Sequence, residues 1–266
     1  MSGFTSRTTG WRRWLVPSAL IIAVLALGWF GYSELRGYML GRELVLASPD
    51  SIPSNPQLVA YSENLGKSAY AENCASCHGA NMKGNQNGVP NLSDSTWLYD
   101  YGRVSDIERT ILYGIRAGLG KSHNVTDMPP VGRYKVLSDG EIHDVMSYVL
   151  SLDVKKHPED PAAVERGSKI FQDKGVCYDC HSRDATGISD YGAPNLVDDD
   201  WLYGGDEKSI YKSIYDGRHG VCPAWIGKLS FPTIRALAVF IHSHSQESQF
   251  SPDKRSASTA SARQNG

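Results

Sequence analysis

The pattern Cys-x-x-Cys-His occurs twice in this chain of 266 residues, at residues 74–78 and 177–181. Two thiols one helical turn apart can both reach the vinyl groups on one edge of a haem, and the adjacent histidine points at the iron. We therefore predict two covalently bound haem c groups, with His78 and His181 as their proximal ligands. The four attaching cysteines are Cys74, Cys77, Cys177 and Cys180.

Pairs of cysteines also occur in zinc ribbons and in thioredoxin-like redox sites. A zinc ribbon also uses pairs of cysteines, but here the two pairs lie far apart in the chain and each has its own histidine. A thioredoxin-like redox pair requires a βαβ context, which the flanking sequence lacks. Repetition of the whole motif, histidine included, favours the haem interpretation over both.

The sequence around each motif is repeated as well. The tripeptide Pro-Asn-Leu and the tripeptide Trp-Leu-Tyr recur at the same distance from each other, and each copy closes with an apolar segment. We predict two related domains, at residues 57–153 and 160–246, joined by the charged, proline-containing stretch "DVKKHPEDP". The polar, serine-rich residues 247–266 are predicted to be a disordered tail.

The pattern of apolar residues predicts an all-α fold. A helix is expected to run into each cysteine pair, and "LSDGEIHDVMSYVLSL" places Ile142, Val145 and Val149 on one helical face, with Ser138 or Asp139 as the N-cap. The stretches between these helices are rich in glycine, asparagine and proline and offer little core of their own. Such a domain needs a large apolar group inside it, as a haem would provide.

The N-terminal region predicts a membrane anchor. No charged residue occurs from residue 14 to residue 33, and about 20 apolar residues in a helix span a bilayer. Arg7, Arg12 and Arg13 precede this run without an acidic residue, so we expect a cytoplasmic N-terminus and a periplasmic body in a bacterium. Residues 1–36 are assigned to this stub and transmembrane helix. A cleaved signal peptide is the alternative. The formal charge of −2 gives no reason to expect a nucleic-acid partner.

The sixth ligands of the two irons are sought near the end of each copy. In the first copy Met128, in "TDMPP", is the candidate, because His/Met ligation is common in electron-transfer haems; His123 is the reserve. The second copy aligns Cys222 with Met128 and contains no methionine. We expect Cys222 to ligate the second haem, with His219 or an open position as alternatives, and a thiolate there to lower the potential.

Two further pairs of repeated residues have predicted supporting roles. The carbonyl groups of Pro90 and Pro194 are candidates to accept the N–H of the proximal histidines. Arg116 and Arg218 are candidates to pair with haem propionates, although a solvated surface position is an equally open interpretation for both.

With "AENCASCHGANMKG", "GVPNLSD", "GAPNLVDDDWLYGG" and "DGRHGVCPAW" in view, the chain resembles the dihaem subunit III of cbb3-type cytochrome c oxidases over roughly residues 57–245. The resemblance implies two tandem class I cytochrome c domains that pass electrons from a periplasmic donor, such as another cytochrome c, to the oxidase core. It also implies that the first haem lies nearer the core and the second nearer the donor. The family pattern has methionine before Pro-Ala-Trp, and Cys222 departs from it.

Two other functions are compatible with these residues. Dihaem enzymes that resemble thiosulfate dehydrogenases use a His/Cys-ligated haem as a catalytic centre, and a free-standing membrane-anchored electron shuttle needs no partner complex. We expect a non-catalytic electron-transfer subunit, and native partner subunits would distinguish it from both.

Overall fold

The computed structural model describes residues 12–123, 127–153 and 160–249, with side chains described from residue 20 to residue 245 within these ranges. The described part of the chain is helical and contains isolated β-bridges but no strands, as predicted. Its α-helices are α1 (Arg12–Leu46), α2 (Pro56–Asn73), α3 (Ala75–His78), α4 (Val104–Tyr113), α5 (Asp139–Ser151), α6 (Pro161–Gln172), α7 (Tyr178–His181), α8 (Glu207–Asp216) and α9 (Phe231–Gln249). Short 3-10 helices occupy Pro49–Ser54 and Ser189–Tyr191.

Helix α1 contains the predicted anchor. Its segment Leu20–Leu46 is long and apolar enough to cross a membrane, and its side chains from residue 20 to residue 36 are exposed. The helix continues past the predicted boundary at residue 36, and Leu44 in its last turn is fully buried in the folded body. The anchor therefore enters the body as one continuous helix. Residues 1–11, which hold Arg7, lie outside the described part.

The helices that precede the cysteine pairs, α2 and α6, form where the sequence predicts them. Helix α5 begins after the predicted N-cap, Ser138, whose hydroxyl accepts a hydrogen bond from the backbone N–H of Glu141. The Glu141 carboxylate in turn accepts one from the backbone N–H of Ser138. This reciprocal capping box satisfies two N–H groups that have no partner within the helix.

The helices assemble into two bodies, and each body contains helices from both halves of the sequence. The first body consists of α2, α3, α4 and α9, with α9 packed across α2 and α4. The crossing of α9 over α2 is close because Gly66 lets the Phe240 side chain and the Ala236 backbone approach. The core of this body is apolar and includes Leu58, Ile107 and Leu237.

The second body consists of α5, α6 and α8, with α7 following α6. Here α5 packs across α6, and Gly167 of α6 allows the close approach of the Asp144 backbone and Tyr148. The sequence predicted that each half of the chain would pack on itself. The structure corrects that prediction. Helix α5, which ends the first copy, packs in the second body, and helix α9, which ends the second copy, packs in the first body.

The chain passes between the bodies through two short paired segments. Ile115 forms two backbone hydrogen bonds with Cys222, and Met128 forms two with Arg218. The predicted linker lies mainly in residues 154–159, and most of the predicted tail, residues 250–266, follows α9; both stretches lie outside the described part.

Candidate haem sites

Both cysteine pairs lie on a single turn of helix. In the first motif the backbone N–H groups of Cys77 and His78 donate to the Cys74 carbonyl, at 3.1 and 2.9 Å. The second motif repeats this arrangement, with Cys180 and His181 donating to the Cys177 carbonyl. One helical turn therefore separates the two thiols of each pair, and none of the five cysteines forms a disulfide. This geometry fits attachment to two vinyl groups on one porphyrin edge.

The proximal histidines are oriented by the two prolines that the sequence singled out. His78 Nδ1 lies 3.1 Å from the Pro90 carbonyl oxygen, and His181 Nδ1 lies 3.0 Å from that of Pro194. A histidine that donates from Nδ1 keeps its Nε2 lone pair for a metal. Burial lowers the pKa of both histidines, with the hydrogen bond to proline acting in the opposite direction. A lowered pKa favours the neutral ring, which is the form that ligates iron.

A largely apolar cavity of about 280 Å³ opens beside the first motif. Cys74, Cys77 and His78 line one part of it, and Trp97, Ile107 and other apolar side chains form its walls. Paired thiols, a neutral histidine and apolar walls together fit a covalently bound haem. The second half of the sequence contributes Leu202, Tyr203, Gly220, Val221, Cys222, Pro223, Trp225 and Ile241 to the lining.

Cys222 belongs to this first site. It lines the same cavity as His78, and the negative charges of Cys222 and Cys77 act, after burial itself, to raise the pKa of Cys74 to about 11. Burial, followed by the nearby Cys77, raises the pKa of the Cys222 thiol as well. The sequence paired Cys222 with the second haem. That pairing is wrong, because the segment between α8 and α9 pairs with Ile115 and brings Cys222 to the first motif.

Met128 belongs to the second body. Its side chain packs against the core formed by α5 and α8, together with Ile170, Leu196 and Trp201. The same body carries the second motif: the ring of His181 lies 6.5 Å from that of Phe171 in α6. Burial, its largest cause, raises the pKa of Cys177 to about 11. The structure thus places Met128 in the body that carries His181, whereas the sequence paired it with His78.

The two reserve histidines lie beside the first cavity, and each faces an aspartate that is not among the residues lining the cavity. His219 is exposed, and its Nδ1 lies 2.7 Å from the Asp127 carboxylate. His123 is buried, but its Nε2 faces the hydroxyl of Thr110 at 3.3 Å and the Asp100 carboxylate at 3.4 Å. Neither histidine is among the residues that line the first site.

The two repeated arginines lie near the passage between the bodies. Arg116 lines the first cavity, where its Nε donates to the Gly220 carbonyl and its Nη1 donates to the Tyr99 hydroxyl at 2.9 Å. The Arg218 guanidinium lies over the ring of Tyr203, 4.0 Å from its centre, and its Nε donates to Ser213. Arg116 thus lines the cavity of the first motif, and Arg218 is not among its lining residues.

Sequence reasoning missed the lining residues that come from the other half of the chain. Leu202 and Tyr203 belong to the repeated tripeptide Trp-Leu-Tyr, so their recurrence was visible. The recurrence could not show that Leu202 and Tyr203 of the second copy line the cavity beside the first motif, because that depends on how the two bodies pack.

Comparison with known proteins places the chain in a class and then in a family. The cytochrome c family model matches residues 64–153, and the model described as "Cytochrome C oxidase, cbb3-type, subunit III" matches residues 162–241. The protein is thus a dihaem cytochrome c, with two covalently bound haem c groups.

Relatives narrow this class. The cbb3-type cytochrome c oxidase subunit FixP of Bradyrhizobium sp. (strain ORS 278) is 38% identical over 246 residues, which cover 86% of this chain and 82% of the relative. Subunit CcoP of Cereibacter sphaeroides (strain ATCC 17023) is 37% identical over 201 residues, covering 76% of this chain and 67% of the relative. The chain belongs to the family of subunit III of cbb3-type cytochrome c oxidases.

Proposed function

We propose that this chain is the membrane-anchored electron-transfer subunit of a cbb3-type terminal oxidase, and that it passes electrons from an external donor to the other subunits. One observation carries the proposal. Two Cys-x-x-Cys-His sites lie in two directly joined bodies, and the first body is continuous with a helix long enough to span a membrane. Family membership agrees with this function and favours it over the enzyme and the free-standing shuttle.

The ligand sets of the two haems form the second part of the proposal. We infer His78 and Cys222 for the first haem, and His181 and Met128 for the second. The basis is proximity: Cys222 lines the cavity of the first motif, and Met128 packs in the body of the second. The thioethers come from the cysteine pairs, and the prolines hold the histidines in the ligating orientation.

Each haem, once bound, supplies an iron that alternates between Fe(III) and Fe(II) with one electron. The protein decides how tightly that electron is held. An anionic thiolate from Cys222 stabilises Fe(III), and the neutral thioether of Met128 favours Fe(II). Axial ligands move haem potentials over about 0.8 V. The second body therefore holds an electron more tightly than the first, the reverse of the order expected from the sequence.

We also propose that the N-terminus is cytoplasmic and both bodies are periplasmic. Arg12 and Arg13 stand at the start of α1, without an acidic residue in its first turn, and positive charges at a helix end favour the cytoplasmic side. Protease added to spheroplasts is expected to cleave the haem bodies and leave the anchor. Protection of the bodies would refute this orientation.

The oxidase assignment is tested by isolating the tagged full chain from its native membranes in mild detergent. We expect it to bring with it an integral-membrane subunit containing haem and copper, and the complex to consume oxygen when supplied with a reduced cytochrome c. A chain that is isolated alone and oxidises thiosulfate would support the enzyme instead. Isolation alone with no such activity would indicate the free-standing shuttle.

A further inference from the structure

The tyrosine of the repeated Trp-Leu-Tyr tripeptide has no role in the assignments above. Tyr99 and Tyr203 occupy equivalent positions in the two copies, as do Gly88 and Gly192 in the loops that lead to Pro90 and Pro194. In the structure each tyrosine packs on the glycine of the other copy. The contact is therefore reciprocal across the two halves of the chain.

Tyr203 lies directly on the loop of the first motif. A Cβ atom added at Gly88 would lie under 3.0 Å from three atoms of the Tyr203 side chain, so only glycine admits the ring there. Gly88 also has a φ of +97°, and its N–H donates to the Leu202 carbonyl at 3.2 Å. Two residues further on, Pro90 accepts the hydrogen bond from His78. The second copy thus fixes the segment that orients the first proximal histidine.

Tyr99 makes the corresponding contact with the loop of the second motif. A Cβ atom at Gly192 would overlap the Tyr99 ring, and Gly192 has a φ of +65°. Two residues on, Pro194 accepts the hydrogen bond from His181. Each tyrosine also makes a contact within its own copy: the Arg218 guanidinium lies over the Tyr203 ring, and the Tyr99 hydroxyl accepts a hydrogen bond from Arg116 in the first cavity.

We propose that Tyr203 and Tyr99 are positioning residues, each of which clamps the loop that holds the proximal histidine of the opposite haem. The hydrogen bond from a ligating histidine to its acceptor raises the basicity of the ring and so stabilises Fe(III). A ring that fixes the acceptor therefore sets part of the potential of a haem bound by the other half of the chain. The inference depends on the two haems but not on which sulfur ligates either iron.

Tyr203→Leu in the full-length protein tests this role. We expect the midpoint potential of the first haem to rise by about 59 mV, a tenfold change in its one-electron equilibrium constant. The reason is that a Pro90 carbonyl held less firmly raises the basicity of the His78 ring less, so that Fe(III) is stabilised less. The potential of the second haem should change much less. Tyr203→Phe keeps the ring on Gly88 and should retain the original potential. Tyr211→Leu, which removes a tyrosine packed within the second body, is the matched control and should leave the first haem unchanged.

Tyr99 supplies a second test through its two separable contacts. Tyr99→Phe removes the hydroxyl that meets Arg116 but keeps the ring on Gly192, so only the first haem should respond. Tyr99→Leu should shift the second haem in addition. The haems are told apart in a Cys74→Ser background, where one vinyl group of the first haem stays unbonded and its visible absorption band moves.

The decisive outcome is whether Tyr99→Leu shifts the second haem, because Tyr99 and Tyr203 both line the first cavity and a shift of the first haem alone does not separate the clamp from the loss of a cavity wall. A Tyr203→Leu protein whose first haem keeps its potential, or whose two haems shift equally, would overturn the proposal. If that variant loses haem, peptide mapping decides. Loss confined to the peptide with Cys74 and Cys77 supports the clamp, and loss from the peptide with Cys177 and Cys180, or from both, contradicts it.

Discussion

At the scale of single residues, the sulfur at position 222 has the largest expected effect on the chemistry of the chain. A thiolate carries a full negative charge to the iron, and a metal-bound thiol is deprotonated even when burial raises the pKa of the free group, as it does for Cys222. Cys222 lines the cavity of His78, where the proposed thiolate ligand would be an anionic donor. The first haem is therefore expected to be a poor electron acceptor.

Cys222→Met should convert the first haem to a His/Met site. We expect its midpoint potential to rise by about 0.3 V, roughly five decades in the one-electron equilibrium constant, because a thioether favours Fe(II). Redox titration monitored by absorption, with electron paramagnetic resonance of the oxidised protein, measures both potential and ligand. His219→Ala is the control and should leave the thiolate signal intact, since His219 faces solvent beside Asp127. Unchanged spectra in Cys222→Met would show that the thiol is not a ligand.

The motif residues, the two prolines and both candidate sulfur ligands could be proposed from the sequence, but not which sulfur lies near which motif. The cysteine pairs, the histidines and Pro90 follow from local spacing, because one helical turn and one short loop bring them together. Cys222 and Met128 were paired by their order along the chain. Their actual neighbours depend on which body α5 and α9 join. The sequence does not decide this, because α5 and α9 both have an apolar face that can pack against α2 or α6.

At the scale of elements, one buried ion pair joins the membrane helix to the first body. Arg235 of α9 pairs with Glu108 of α4, and its Nη1 donates to the carbonyls of Leu44 and Ala47 at the end of α1, at 3.1 and 2.8 Å. Both charged residues are buried, so each depends on the other to offset the loss of water. The arginine also satisfies helix-end carbonyls that have no partner within α1.

Arg235→Met should destabilise the first body by about 3–5 kcal/mol, because Glu108 would remain as an unpaired buried charge. Thermal unfolding of the purified protein in detergent, followed at the haem bands, measures the loss. The double variant Arg235→Met with Glu108→Leu removes both charges and should recover much of the stability. If the single and double variants were equally destabilised, Arg235 would stabilise the body only through its hydrogen bonds to the end of α1, and its ion pair with Glu108 would contribute nothing.

Sequence patterns predicted the long helices better than the short ones. Helices α4 and α8 lie in stretches that the sequence predicts to be loops, although Val104, Ile107 and Ile111 in α4 have helical spacing and are buried. Each has only ten residues, and most of the stability of so short a helix comes from packing that the sequence does not reveal. The capped helix α5 was predicted correctly, since its start is encoded locally by Ser138 and Glu141.

At the scale of the whole molecule, the exchange of closing helices makes the first body depend on the end of the chain. Helix α9 contributes Ile234, Leu237, Val239, Phe240 and Ile241 to the buried core. At about 1.5–3 kcal/mol for each such side chain, their removal costs as much as the 5–15 kcal/mol that usually stabilises a domain. The two bodies are thus not independent domains in series.

A stop codon after Ser230, which deletes α9, should abolish the first haem site and leave the second. Haem-stained gels and intact mass are expected to show the loss or instability of the haem at Cys74 and Cys77, with haem retained at Cys177 and Cys180. Deletion of residues 250–266 alone is the matched control and should preserve both haems. Retention of a normal first haem without α9 would show that the first half of the sequence can close on itself.

The exchange of α5 and α9 between the bodies also determines the order in which the two haem sites can close during synthesis. The first cysteine pair is synthesised more than 150 residues before α9, the helix that closes the first body. At about 5–20 residues per second, on the order of 10–30 s separate the two events. The helices of the second body follow one another within the middle of the chain. The second site can therefore close before the first, which stays accessible to haem attachment until α9 has been synthesised.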